Sequence, residues 1–115
     1  MIIYNIIKND NNRIIMIYYY KLCCKDLNVN EIYVGSTKQP LRKRLYEHKQ
    51  SCNNINSNSY NRKKYVFIRE NGGIENWTII EIERIDEEMD KQQRFKRERF
   101  WLEQLGATLN SNIPN

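Results

Sequence analysis

Three short runs of aromatic and β-branched residues alternate along the chain with polar, turn-forming segments, and most of what lies between them has helical spacing. MIYYYKLCC (Met16 to Cys24), EIYVGS (Glu31 to Ser36) and NWTIIEIER (Asn76 to Arg84) read as strands. The polar DLNVN segment joins the first two into a hairpin with a loop of medium length. A helix is expected from about Pro40 to about Ser51, with the proline in its first turn and Ser36 or Thr37 near its cap. A second runs from about Asn61 to Glu70 and is stopped by Gly72 and Gly73. A third runs from about Glu87 to Leu105. The opening MIIYNII is a candidate extra strand set off by NDNNR, and CNNINSNS is a low-complexity loop. The expected fold is therefore α/β in the α+β sense, a small three-stranded antiparallel sheet flanked by helices in the order ββααβα.

A chain of 115 residues supports one core and is expected to form one domain, 1–115. Net charge is +5, which favours a polyanionic partner, and its distribution says more than the total. From Lys38 to Arg69 there are nine basic residues against Glu47 alone, whereas from Ile74 to Asp90 seven acidic residues face the single Arg84. One basic face around the first two helices and one acidic edge follow. Lys21, Lys38, Arg42, Lys43, Lys49, Arg62, Lys63 and Lys64 are the candidate nucleic-acid contacts.

Cys23, Cys24 and Cys52 are odd in number, and no signal-like leader precedes them, so a reduced, intracellular protein is expected. One histidine and no CxxC pair argue against a zinc site. No apolar run approaches a membrane span.

The candidate chemistry centres on YVGSTKQPLRKRLYEHK. Arg44 and His48 are four apart and share a helix face, with Leu41, Leu45 and His48 as the inward stripe and Arg44 at its edge. A guanidinium and an imidazole are thereby held beside the strand carrying Tyr33, a combination suited to a phosphate: the arginine offers a planar fork of donors, and tyrosine and histidine handle protons. Farther on, Phe95, Trp101, Leu102 and Leu105 define a broad arc of the third helix with Glu98 inside it. A carboxylate on a buried face calls for a positive partner, a divalent ion or an arginine. Trp77, Phe100 and Trp101 are expected in the core. Taken singly, each of these residues has an ordinary reading: tyrosines as strand residues, Arg44 as a solvated charge, His48 as a satisfied core histidine.

Taken in order, they resemble a GIY-YIG nuclease domain. Tyr33-Val34-Gly35 is close to the second half-motif, and Met16-Ile17-Tyr18 stands at the degenerate first, aligned on Tyr18 because Lys21 then occupies a common basic position. Arg44 matches the family's helix arginine, His48 its following His or Tyr, Glu98 its metal-binding glutamate, and Asn112 the asparagine near its end. The missing glycine at Met16 and the long loop between half-motifs depart from the pattern. The resemblance covers roughly Met16 to Asn115.

This resemblance implies a metal-dependent endonuclease acting on DNA, with one Mg2+ or Mn2+ on Glu98, Arg44 stabilising charge in the transition state, and Tyr18 or Tyr33, aided by His48, moving the proton. Asn112 supports the metal or a tyrosine, and the products carry a 5′ phosphate and a 3′ hydroxyl. The alternative is a nucleic-acid-binding module with the same fold and no chemistry. Relatives commonly carry a separate DNA-binding region, and 115 residues leave no room for one, so specificity for DNA structure, a homodimer or a partner protein is expected. Richness in Asn, Ile, Lys and Tyr fits an A+T-rich viral, mobile-element or microbial gene.

Overall fold

The three apolar runs form the expected strands: β1 spans Ile17–Cys24, β2 Tyr33–Thr37 and β3 Trp77–Ile85. A computed structural model describes residues 15–110, so the predicted strand at MIIYNII lies outside the described residues. The sheet is antiparallel with order β2-β1-β3, so the tyrosine-rich strand is central. Asp26 closes the β1–β2 connection by accepting the Asn28 amide at 3.0 Å, a local turn of the kind short polar side chains favour. Helices α1 (Leu41–Asn53), α2 (Lys63–Glu70) and α3 (Lys91–Gln104) complete the order ββααβα, with an unpredicted 3₁₀ turn at Ile74–Asn76.

Each helix begins later than its sequence pattern suggests, for local reasons. Pro40 sits at the cap of α1 rather than inside it, with extended backbone. At α2 the cap is Arg62. Asp90 caps α3 by accepting the Gln93 amide at 2.8 Å, while the Gln93 side chain accepts the Asp90 amide at 2.9 Å, a reciprocal pair that sets the first turn. Gly72 and Gly73 adopt positive φ after α2, where the Gly73 amide reaches back to the Ile68 carbonyl at 2.9 Å.

Side chains alternate along β1, and the covered face changes along its length. Ile17 and Tyr19 are buried on the side of α3, where the Tyr19 hydroxyl reaches the Arg94 carbonyl at 3.5 Å. Tyr20, Leu22 and Cys24 are buried on the opposite side, with Cys52 of α1, Tyr65 and Ile68 of α2, and Trp77. Each large apolar side chain so buried contributes on the order of 1.5–3 kcal/mol. Between Tyr19 and Tyr20 the pairing with β3 slips from Glu83 to Glu81, leaving Ile82 as the extra residue of a bulge.

Helix α3 departs from the expected buried arc. Phe95, Phe100 and Leu105 are exposed, Trp101 and Glu98 are half-buried, and no residue of the helix is fully buried. A polar contact anchors it instead: the Glu83 carboxylate accepts from Arg97 at 2.7 and 2.9 Å and from the Trp101 indole at 2.7 Å. Of the acidic run, Glu81 and Glu83 lie on β3, at the edge of the sheet opposite β2, while Glu75 precedes the strand and Asp86, Glu87, Glu88 and Asp90 follow it. Among the other tryptophan and phenylalanine expectations, Trp77 is core, 2% exposed.

Candidate active site

Gly35 lets the two halves of the site meet. It pairs with Tyr20 across β1 and β2, and a Cβ placed on it would lie 2.6 Å from the Tyr20 hydroxyl and 2.9 Å from the Tyr33 ring. Any side chain there would displace one of the tyrosines. With glycine, the Tyr20 and Tyr33 rings stand 6.3 Å apart and both lie 5.8 Å from the His48 ring.

Arg44 and His48 come from one face of α1, as their spacing requires. His48 is fully buried, its Nε2 2.8 Å from the Tyr20 hydroxyl and its Nδ1 2.6 Å from the Tyr65 hydroxyl. Arg44 donates from Nε to the same Tyr20 oxygen at 3.1 Å and from Nη1 to Glu47 at 3.1 Å. Burial, then the nearby Arg44 and Lys64 charges, depress His48 to about 3. The imidazole is therefore neutral, with one donor and one acceptor nitrogen. Either neutral tautomer joins the Tyr20 hydroxyl, which also accepts from Arg44, to the Tyr65 hydroxyl through the two ring nitrogens. Arg44 is thus oriented by a buried chain, Tyr20–His48–Tyr65.

This chain makes stability pH-dependent. A histidine titrates near 6.5 when unfolded, and His48 takes its proton in the fold only near pH 3. The unfolded state binds the extra proton between those values, so the contribution is complete above pH 6.5 and is lost as pH falls toward 3, up to roughly 5 kcal/mol. His48 is the single histidine of the chain, so its imidazole signals in an NMR titration are unambiguous. They are expected to stay at the neutral position from pH 8 to pH 5 in the folded protein; a midpoint near 6.5 would show that the ring is not enclosed by the two tyrosines.

Glu98 approaches from α3, on the other side of the sheet, past β2. Since β2 is an edge strand, no further strand separates the two sides there. The Glu98 carboxylate accepts from Ser36 of β2 at 3.0 Å. Burial raises its pKa, opposed by the Ser36 hydrogen bond and by the Lys64, Arg94 and Arg44 charges. Tyr33 feels the same carboxylate: burial first, then Glu98, pushes it up to about 12. Tyr20 is raised further, chiefly by burial.

Tyr18 does not join this group. It lies two residues before Tyr20 on the same side of β1, and its ring packs on the Arg84 guanidinium at 5.2 Å. The register argument from Lys21 fails because Lys21 follows Tyr20 directly and projects from the opposite side of the strand. Tyr33, Arg44, His48 and Glu98 do converge. Asn112 lies outside the described residues. Asn110 was missed by the sequence reading: its side-chain amide accepts the Val34 N–H at 2.9 Å and donates to the Val34 carbonyl at 2.7 Å, imitating a further strand against the open edge of β2 beside Tyr33 and Gly35. The asparagine-rich tail was the only signal for it. Tyr65 was also hidden, as a plain apolar position, whereas Lys64 stands among the candidate nucleic-acid contacts with nothing in the sequence to separate it from the exposed lysines.

Of the predicted basic contacts, Lys38, Arg42, Lys43, Arg62 and Lys63 are exposed and Lys21 is half-buried. Lys49 pairs with Glu75 at 3.5 Å. Lys64 is only 9% exposed and lies within the site. Cys23, Cys24 and Cys52 are free thiols.

Among the described residues, no group of three or more His, Cys, Asp and Glu could hold a metal ion. A single carboxylate fits a hard divalent ion that keeps water and substrate oxygens as its other ligands, as Mg2+ commonly does. Glu98 suits that role, since one serine hydroxyl is its sole hydrogen-bond partner among the described residues.

A family model for the GIY-YIG catalytic domain matches residues 1–111. Among solved structures, the chain is similar to the catalytic domain of the homing endonuclease I-TevI, with a TM-score of 0.62 and 24% identity, over 84% of this chain and 96% of that one. A search of curated proteins gives no match.

Proposed function

Since the chain belongs to the GIY-YIG catalytic domain family, a nuclease family, we propose that it is a divalent-metal-dependent endonuclease that hydrolyses DNA phosphodiester bonds to a 5′ phosphate and a 3′ hydroxyl. The observation that carries the reading is the convergence of Tyr20, Tyr33, Arg44 and His48 around Gly35, with Glu98 brought to the same edge of the sheet. That I-TevI is a homing endonuclease supports DNA as the substrate.

Each residue has a distinct task. Glu98 holds Mg2+ or Mn2+, which when bound supplies Lewis-acid charge at the phosphate. Arg44 has Nε and Nη1 engaged within the protein and Nη2 without a partner among the described residues, so it presents a fixed donor edge to the phosphate oxygens. Tyr20, with no exposed surface, is a positioning residue that holds Arg44. Tyr33 is half-buried and makes no side-chain hydrogen bond among the described residues, so its oxygen meets the attacking water and takes its proton. The Tyr33 pKa of about 12 already includes the lowering by Arg44 and Arg62, so the phenolate that accepts this proton forms after Tyr33 gives its own proton to solvent, and the charge of a divalent ion on Glu98 would favour it further. The exposed basic residues bind flanking phosphates.

The test is supercoiled plasmid and branched DNA incubated with magnesium or manganese against chelator, using the parent and three phenylalanine variants. Metal-dependent cutting is expected in the parent and in Tyr18→Phe. Tyr20→Phe should lose about 10- to 100-fold, and Tyr33→Phe at least about 1000-fold, as expected when a proton-transfer group is removed. Binding without cutting by the parent on every DNA would establish the non-catalytic module instead. A Tyr20→Phe defect larger than that of Tyr33→Phe would move the proton-accepting role to Tyr20.

A further inference from the structure

Lys64 is buried where a cation is poorly tolerated. It stands in the first turn of α2, whose amide dipoles disfavour positive charge, and the Arg44 and Arg62 charges act on it in the same sense. Among the described residues no carboxylate lies within ion-pair distance of its amine. The amine sits instead over the Tyr33 ring, 4.1 Å from its centroid, and 5.0 Å from that of Tyr65. A leucine or methionine would fill this volume at lower cost, so the position is not explained by stability. Burial, then Arg44 and Arg62, lower its pKa to about 8, opposed by Glu98, which lies beyond ion-pair distance of the amine.

We propose that Lys64 is a catalytic residue that binds the reacting phosphate of the DNA substrate together with Arg44. The inference rests on the nuclease reading and deepens it. Lys64 differs from the exposed lysines because it acts at the bond being cut, not along the flanks. The two tyrosine rings hold the ammonium by cation–π attraction until an anion arrives. A phosphodiester entering between the Arg44 edge and Tyr33 supplies that anion.

The experiment measures cleavage and binding separately for Lys64→Met, Lys64→Arg and, as a control for loss of one charge, the exposed Lys25→Met. Lys64→Met should lower kcat by about 100-fold, the scale of one lost transition-state donor. In chelator, its affinity for a short duplex should fall, with the slope of log K against log salt shallower by about one. Lys64→Arg should recover most of both, and Lys25→Met should change kcat less than twofold. Unchanged kcat and salt slope in Lys64→Met would overturn the proposal and reduce Lys64 to a packing residue over the tyrosines. If the parent cuts no DNA with any metal, the nuclease reading falls and the salt slope alone decides whether Lys64 meets phosphate. Should Lys64→Met fail to fold, Lys64→Gln takes its place in both arms.

Discussion

Glu98→Ala is expected to remove metal-dependent cleavage by at least about 1000-fold while leaving the thermal midpoint within a few degrees of the parent. Glu98 stands on α3 without a charged partner at ion-pair distance among the described residues, and its one hydrogen bond there is from Ser36. Removing it forfeits little folding energy and relieves a partly buried carboxylate whose pKa is raised by burial. Its loss should nonetheless be decisive for turnover, since no other cluster of acidic or histidine ligands is available among the described residues. Glu98→Gln separates charge from shape: it keeps the acceptor oxygen for Ser36 and gives up the anion. Magnesium titrations followed by calorimetry should show binding to the parent and none to either variant. Retained cutting in Glu98→Gln would mean that the ion is held elsewhere and would sink the assignment.

Arg44→Ala should lower kcat by a similar or slightly smaller factor, about 100- to 1000-fold, through a different route. The guanidinium makes two internal hydrogen bonds, one to Tyr20 and one to Glu47, which fix its plane. Arg44→Lys retains the charge but not the fork, since a single ammonium cannot hold the Tyr20 oxygen and present a second fixed donor to phosphate. Most of the loss is therefore expected in Arg44→Lys as well, and single-turnover rates at saturating DNA measure it directly. If Arg44→Lys retained nearly full activity, Arg44 would be contributing only charge, and the buried Tyr20–His48–Tyr65 chain would have no role in orienting it. The pair of predictions is separable by metal dependence: Arg44→Ala should still bind magnesium.

How far the site was legible in the sequence varies residue by residue. Arg44 and His48 share one face of α1, as helical spacing requires of positions four apart. Gly35 and Tyr33 fall on a strand as expected because EIYVGS has aromatic and β-branched strand character, and a glycine within a strand marks a close approach. Tyr18 was misplaced for want of such a signal. Three consecutive tyrosines are chemically identical, so composition cannot distinguish them, and the choice fell to a neighbouring lysine that faces away from the site. The partner of Gly35 is decided by strand register, and register places Tyr20 opposite it. Glu98 stands out in the sequence both from the apolar arc expected around it and from the family pattern; the arc does not form, since Phe95 and Leu105 are exposed and α3 is anchored by the Glu83–Arg97–Trp101 contact between distant segments.

What the sequence determined by itself was the set of elements and their order, together with the segregation of charge. Those follow from local propensities, from the alternation of apolar positions and from which residues share a helix face, all properties of neighbours along the chain. The tertiary structure alone decided which tyrosine faces Arg44, that Tyr65 completes the chain through His48, that Lys64 is enclosed while its neighbour Lys63 is exposed, and that Asn110 binds the edge of β2. Each of those pairs residues from separate elements at hydrogen-bond or ring-contact distance. Such contacts depend on strand register and helix packing, to which the identity of a single side chain contributes little.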